Sequence, residues 1–176
     1  RAVLRGALEQ AEAVGAAPAK VRVGVAIETP SLVWQGEIAL RRVDFATIGT
    51  NDLLQFAFAA DRDGVRMSER YDAISPPALA MLRHVVQSAK RANTPLSVCG
   101  EMASDPLAAI ALIGLGVRRL SVAPAAVKPI RAVAANVDAA EAAVLIEELI
   151  GSEEHSVRDQ VREFAESADI PIDEQY

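Results

Sequence analysis

The chain has 176 residues, 51% of them apolar, and its 24 acidic and 18 basic side chains give a net charge of −6. That is about one domain's length with enough apolar residues for a core, which excludes a disordered chain, and the acidic balance without a Lys/Arg stripe argues against a nucleic-acid partner. A single cysteine, Cys99, excludes an internal disulfide and a polythiolate metal site, and no apolar run reaches the roughly 18 residues of a membrane span, so a cytoplasmic protein with no membrane partner is expected.

In chain order, residues 2–16 carry Leu4, Leu8, Ala11 and Val14 at helical spacing and predict a leading helix. Residues 21–27 (VRVGVAI) predict a buried strand that stops at Glu28-Thr29-Pro30. A short helix over 31–41 with Ser31 as N-cap follows, and then a second strand, VDFATIG at 43–49, ended by Gly49-Thr50-Asn51-Asp52 and succeeded by a helical face over 53–60. Residues 61–77 form a polar connection longer than an ordinary βα linker, which marks it as functional.

A helix over 78–92 leads through Pro95 into a third strand, LSVCG at 96–100, and a helix over 106–115. RRLSVAP at 118–124 predicts a fourth strand; helices over 126–136 and 138–150 complete the unit, the latter capped by Asp138 and stopped by Gly151. The expected organisation is one α/β domain over 1–150 and a charged helix and exposed tail over 151–176. Four strands alternating with helices, each read as buried on both faces, predict a parallel arrangement.

The polar residues cluster just past strand ends, at Glu28, Asn51-Asp52 and Cys99-Gly100-Glu101, the edge where parallel α/β folds bind ligands. Glu28 and Asp52 are hard oxygen donors of the kind Mg²⁺ takes beside substrate phosphate and water, and their bland reading is a helix charge and an N-cap. Arg62, between Asp61 and Asp63, offers a fork for a carboxylate or phosphate, or simply a loop ion pair. A lone cysteine in an apolar strand is usually a small hydrophobe, but an ordinary thiol is mostly protonated at pH 7, so Cys99 at a strand end suits a proton donor better than a nucleophile. His84, in an apolar helix face, and His155, in a polar stretch, read as structural.

The segments VGVAIETP (23–30), VDFATIGTNDLLQFAFAADR (43–62), SPPAL (75–79), LSVCGEMASDPLAAIALIGLG (96–116) and LSVAPAAVKPIR (120–131) closely resemble phosphoenolpyruvate–protein phosphotransferase, enzyme I of the bacterial phosphotransferase system. The LLQFAFAADR wording is more similar to the nitrogen-related paralogue. The resemblance implies the second half of a (β/α)8 TIM-type barrel that binds phosphoenolpyruvate (PEP) with Mg²⁺. The phosphoryl group would pass to a histidine on a separate N-terminal domain, which relays it to an HPr-like phosphocarrier, and pyruvate is released. By the same resemblance Glu28 and Asp52 are the Mg²⁺ ligands, Asn51, Asp52 and Arg62 hold PEP, and Cys99 exchanges a proton with the methylene carbon of enolpyruvate. The GGxxSH context of the family's phosphohistidine is missing from these residues, so a fragment, inactive by itself and forming a homodimer, is expected. The alternatives are a PEP synthase or pyruvate phosphate dikinase barrel, and a non-catalytic dimerisation module.

Overall fold

The computed structural model describes residues 2–60 and 72–172. Among them, three short strands form one parallel sheet in the order β1 (Gly24–Ile27), β2 (Phe45–Gly49), β3 (Leu96–Cys99). Parallel pairing puts Ile27 opposite Ile48 and Ile48 opposite Val98, so these three share one face, and each is at most 1% exposed. Ala26, Thr47 and Ser97 share the other face, where they are exposed or half-buried. The strands are therefore not buried on both faces, as their apolar runs suggested. The helices described here cover one side of the sheet, and the other side carries hydroxyls.

The helices are α1 (Ala2–Ala13), α2 (Pro30–Trp34), α3 (Gly36–Leu40), α4 (Thr50–Phe58), α5 (Pro76–Ala92), α6 (Pro106–Gly114), α7 (Val127–Asn136), α8 (Ala139–Ile150) and α9 (Arg158–Ser167). The single helix expected over 31–41 is two, because Gln35 at φ −95° and ψ 4° leaves the helical region and serves as the end of α2 and the start of α3. Thr29, not Ser31, stands at the N-cap with Pro30 at the first helical position, and the Ser31 hydroxyl is instead hydrogen-bonded to Thr29 Oγ1 at 3.1 Å.

The fourth strand expected over 118–124 is reduced to a parallel bridge between Val98 and Leu120. Val98 N donates to Arg119 O (3.0 Å) and Ser121 N to Val98 O (2.8 Å). Beyond that the chain leaves the sheet, since Ala123 N donates to Ser104 Oγ (3.3 Å) and Pro124 opens a 3₁₀ turn over Pro124–Ala126. Pro124 has no N–H with which to continue a ladder.

α6 is apolar all round, and Pro106 through Leu112 are buried where α7, α8 and α9 pack against it. Its start is set by Asp105, whose Oδ1 accepts from Leu107 N (2.9 Å) and Ala108 N (3.4 Å). Gly114 lets α8 approach closely, because a Cβ there would lie 2.6 Å from the Ala142 carbonyl oxygen. Asp138 caps α8 as predicted, accepting from Ala140 N (2.7 Å) and Glu141 N (3.1 Å), and those bonds hold its carboxyl below the usual range. α8 ends at Gly151. Val157 at the N-cap of α9, with Val161 and Ala165 within it, is buried in the core. No helix among the described residues is long and apolar enough to cross a membrane.

Candidate active site at the C-terminal edge of the sheet

Parallel register brings the ends of the three strands side by side, so Glu28, Gly49 and Cys99 meet at one edge although 21 and 50 residues separate neighbours in sequence. Glu28 folds over Gly49: a Cβ built on that glycine would lie 2.6 Å from both Glu28 Cγ and Oε1. Helix α4 starts earlier than its apolar pattern indicated, with Gly49 at the N-cap, so Asn51 and Asp52 stand in its first turn and Asp52 is not the cap. An acidic side chain there is favoured by the helix dipole, and Asp52 is exposed.

Two hydrogen bonds lock the β2 end to the β3 end. Thr50 Oγ1 donates to the Cys99 carbonyl at 2.8 Å, and Asn51 Oδ1 accepts from Glu101 N at 2.9 Å. Because a backbone N–H requires an oxygen acceptor, the second bond also fixes the Asn51 amide, and its two Nδ2 protons have no acceptor among the described residues. Gly100 makes the close approach feasible. It sits at φ 101° and ψ −179°, and a Cβ there would fall 2.5 Å from Thr50 Oγ1 and 2.6 Å from Asn51 Oδ1.

Cys99 is half-buried and held on two sides: Thr47 Oγ1 donates to its sulfur at 3.6 Å, and the thiol donates to the Ile48 carbonyl at 3.4 Å. With Asn51, Glu101, Ser104 and Asp105 it lines a cavity of about 650 Å³ whose far wall is the Ser121–Ala126 segment. Glu28 and Asp52 stand at the same edge outside that lining. No group of three or more His, Cys, Asp and Glu that could hold a metal occurs among the described residues. Arg62 lies outside the described residues. Of the two histidines, His84 packs its ring on Trp34 (centroids 4.9 Å apart) and His155 is exposed.

Sequence reading missed the support beneath this edge. Arg158, from α9, donates Nε and Nη2 to the two oxygens of Asp72, each at 3.0 Å, and Nη1 to Asp105 Oδ2 at 2.7 Å. Asp72 also accepts from the Ser156 hydroxyl (2.8 Å) and Ile74 N (2.8 Å). Burial by itself pushes the Asp72 carboxyl up, but the Arg158, Ile74 and Ser156 hydrogen bonds outweigh it and hold it below the ordinary carboxylate value. Burial likewise opposes the Arg158 charge, and the two carboxylates more than offset that and raise its pKa. Asp105-Pro106 was the one legible signal, an Asp before a Pro at a helix start. Nothing in the sequence linked it to residues 33 and 53 positions away.

A family model described as "PEP-utilising enzyme, PEP-binding domain" matches residues 1–139. The "Phosphoenolpyruvate-dependent phosphotransferase system" protein of Salmonella typhimurium is 35% identical over 167 residues, covering 94% of this chain and 22% of that protein. The "Phosphoenolpyruvate-protein phosphotransferase" of Cupriavidus necator is 40% identical over 105 residues, covering 60% and 18%. The "Probable phosphoenolpyruvate synthase" of Pyrococcus abyssi is 40% identical over 134 residues, covering 75% and 16%. The chain thus spans about a fifth of the length of these curated relatives.

Proposed function

The chain belongs to the PEP-utilising enzymes and carries their PEP-binding domain, and on that premise we propose that its parent protein moves the phosphoryl group of PEP to a protein histidine and releases pyruvate. The observation that carries this reading is the juxtaposition, at one sheet edge, of a carboxylate just past β1, an Asn-Asp pair on α4 and a thiol on β3, the last two locked together through Thr50, Asn51 and Gly100. The relatives named as phosphotransferases support the reaction class.

The donor set suits Mg²⁺. That cation is typically bound through one or two carboxylates, with waters and substrate phosphate completing its shell, so two carboxylates at one edge fit it while a three-ligand nitrogen or sulfur cluster would not be needed. Glu28 and Asp52 would hold the ion, which when bound neutralises charge on the transferring phosphoryl group and on the departing enolate. Asn51 donates its Nδ2 amide protons to phosphate oxygens, and Arg62 grips PEP, a role that rests on its place in the DR motif. The P–O bond to the enol oxygen breaks as a P–N bond to histidine forms, and the Cys99 thiol hands its proton to the methylene carbon of the enolate to give pyruvate.

In this reading the three strands and the 118–122 segment are consecutive staves of a (β/α)8 barrel, with residues 1–150 inside it and 151–176 forming its C-terminal helix and tail. The hydroxyl-bearing sheet face then looks into the barrel. The chain alone is inactive, the phosphohistidine and the HPr-like carrier contact come from an N-terminal domain, and the enzyme works in the cytoplasm as a homodimer. Trp34, Ile38 and Phe56, 72%, 66% and 62% exposed, support such an interface. The test is Mg²⁺-dependent PEP binding by the full-length protein: Glu28→Gln and Asp52→Asn should each abolish the Mg²⁺ dependence, and unchanged binding in both overturns the reading. The Pyrococcus abyssi relative favours a second reading, a PEP synthase barrel, and AMP formation from ATP by the full-length protein would select it.

A further inference from the structure

At the opposite edge of the sheet, where β3 begins, lies a second cavity of about 450 Å³. The three residue steps of β3 from Leu96 to Cys99 put about 10 Å of extended chain between it and the Cys99 edge. Its walls come from the end of α5, from Thr94–Leu96 and from Gly116–Arg119. Three of the lining residues are cations, Lys90, Arg118 and Arg119, and none is a carboxylate, in a chain of net charge −6.

Two of the cations are positioned. Arg118 Nη1 donates to the carbonyls of Ile113 (3.0 Å) and Val117 (2.9 Å), which leaves the N–H groups of Nε and Nη2 without a partner among the described residues. Gly116, at φ 94°, makes room for Lys90, whose Nζ would be 2.8 Å from a Cβ placed there. The plain explanation of cations here is the two helix ends, α5 and α6, that finish beside the cavity. Each helix terminus carries roughly half a negative charge, so the two offset about one of the three positive charges and about two remain. A phosphate monoester carries about −1.5 to −2 at pH 7. Val86, Leu96 and Val117 supply an apolar wall beside the cations.

We propose that this cavity binds an organic phosphate monoester, its phosphate held by Lys90, Arg118 and Arg119 and its organic body lying on the Val86–Leu96–Val117 wall. The site is separate from the PEP edge and does not depend on that assignment. The test is titration of the full-length protein with AMP, inorganic phosphate and adenosine at low ionic strength, read by calorimetry and by the amide shifts of Gly116 and Val117. Saturable AMP binding is expected, weaker for phosphate and absent for adenosine. It should weaken at least tenfold in Lys90→Gln and in Arg119→Gln, both folded by circular dichroism, and persist in Asp52→Asn. No saturable binding, binding unchanged in both cation variants, phosphate as tight as AMP, or loss of binding in Asp52→Asn would each overturn the proposal.

Discussion

Replacing Gly100 with Ala tests the architecture of the candidate site most directly. Its backbone, at φ 101° and ψ −179°, lies in a region essentially reserved for glycine, and holding an L-residue there costs about 1–3 kcal/mol. The new methyl would also sit 2.5 Å from Thr50 Oγ1 and 2.6 Å from Asn51 Oδ1, so at least one of the hydrogen bonds to Cys99 O and Glu101 N must break. Each is worth about 0.5–1.5 kcal/mol net. Together the loss is roughly 2–4 kcal/mol, and at about 2–4 °C per kcal/mol for a domain of this size the melting temperature should fall by roughly 5–15 °C. PEP affinity should fall with it, because Asn51 loses the bond that orients its amide. Gly6→Ala is the control: nothing lies within 4 Å of a Cβ there, and in a helix interior Ala gains about 0.5–1 kcal/mol over Gly. Urea denaturation and calorimetric PEP titration of both variants provide the readout. A Gly100→Ala protein as stable as the parent, with unchanged affinity, would show that the close packing of Gly100 against Asn51 is not what organises the site.

Cys99→Ala should leave PEP binding nearly intact and slow turnover about 10²–10⁴-fold, the usual contribution of a general acid, with solvent-deuterium incorporation at the pyruvate methyl reduced in step; near-normal turnover with a lowered melting temperature would make Cys99 a packing residue. Arg158→Met strands two carboxylates that are 21% and 29% exposed, and after discounting for solvent it should cost about 1–3 kcal/mol by chemical denaturation. Because the Asp72 carboxyl is held below its ordinary 3.8, its stabilisation is fully present above that pH and is lost as the pH falls through the folded-state value; stability profiles followed from about pH 5 down into the acid unfolding range should lose that part of their acid slope in Arg158→Met. Gly114→Ala should destabilise by about 1–3 kcal/mol despite the better helix propensity of Ala, since the obstacle is the Ala142 backbone and cannot swing aside; an unchanged denaturation midpoint would refute the close α6–α8 crossing.

Local chemistry alone determines much of this protein. The apolar runs ending at Glu28, Gly49 and Cys99, the Asp138 cap and the Gly151 stop are written in adjacent residues, because strand burial and helix capping depend on side chains a few positions apart. The polar residues past the strand ends were legible for the same reason. What pairing and packing decided lay out of reach. RRLSVAP has the composition of a strand, yet only Leu120 bridges to Val98, because Ser104 captures the Ala123 N–H and Pro124 has none to offer. The apolar stretch over 31–41 splits at Gln35, a break that no Pro within it announces. Thr50 is an unremarkable hydroxyl until the parallel register sets it beside the Cys99 carbonyl, 49 residues away. Arg158 looks like any surface arginine until α9 packs on α6 and brings its fork to Asp72 and Asp105. These contacts join residues far apart in the chain, and only the closed tertiary structure supplies the proximity that turns them into interactions.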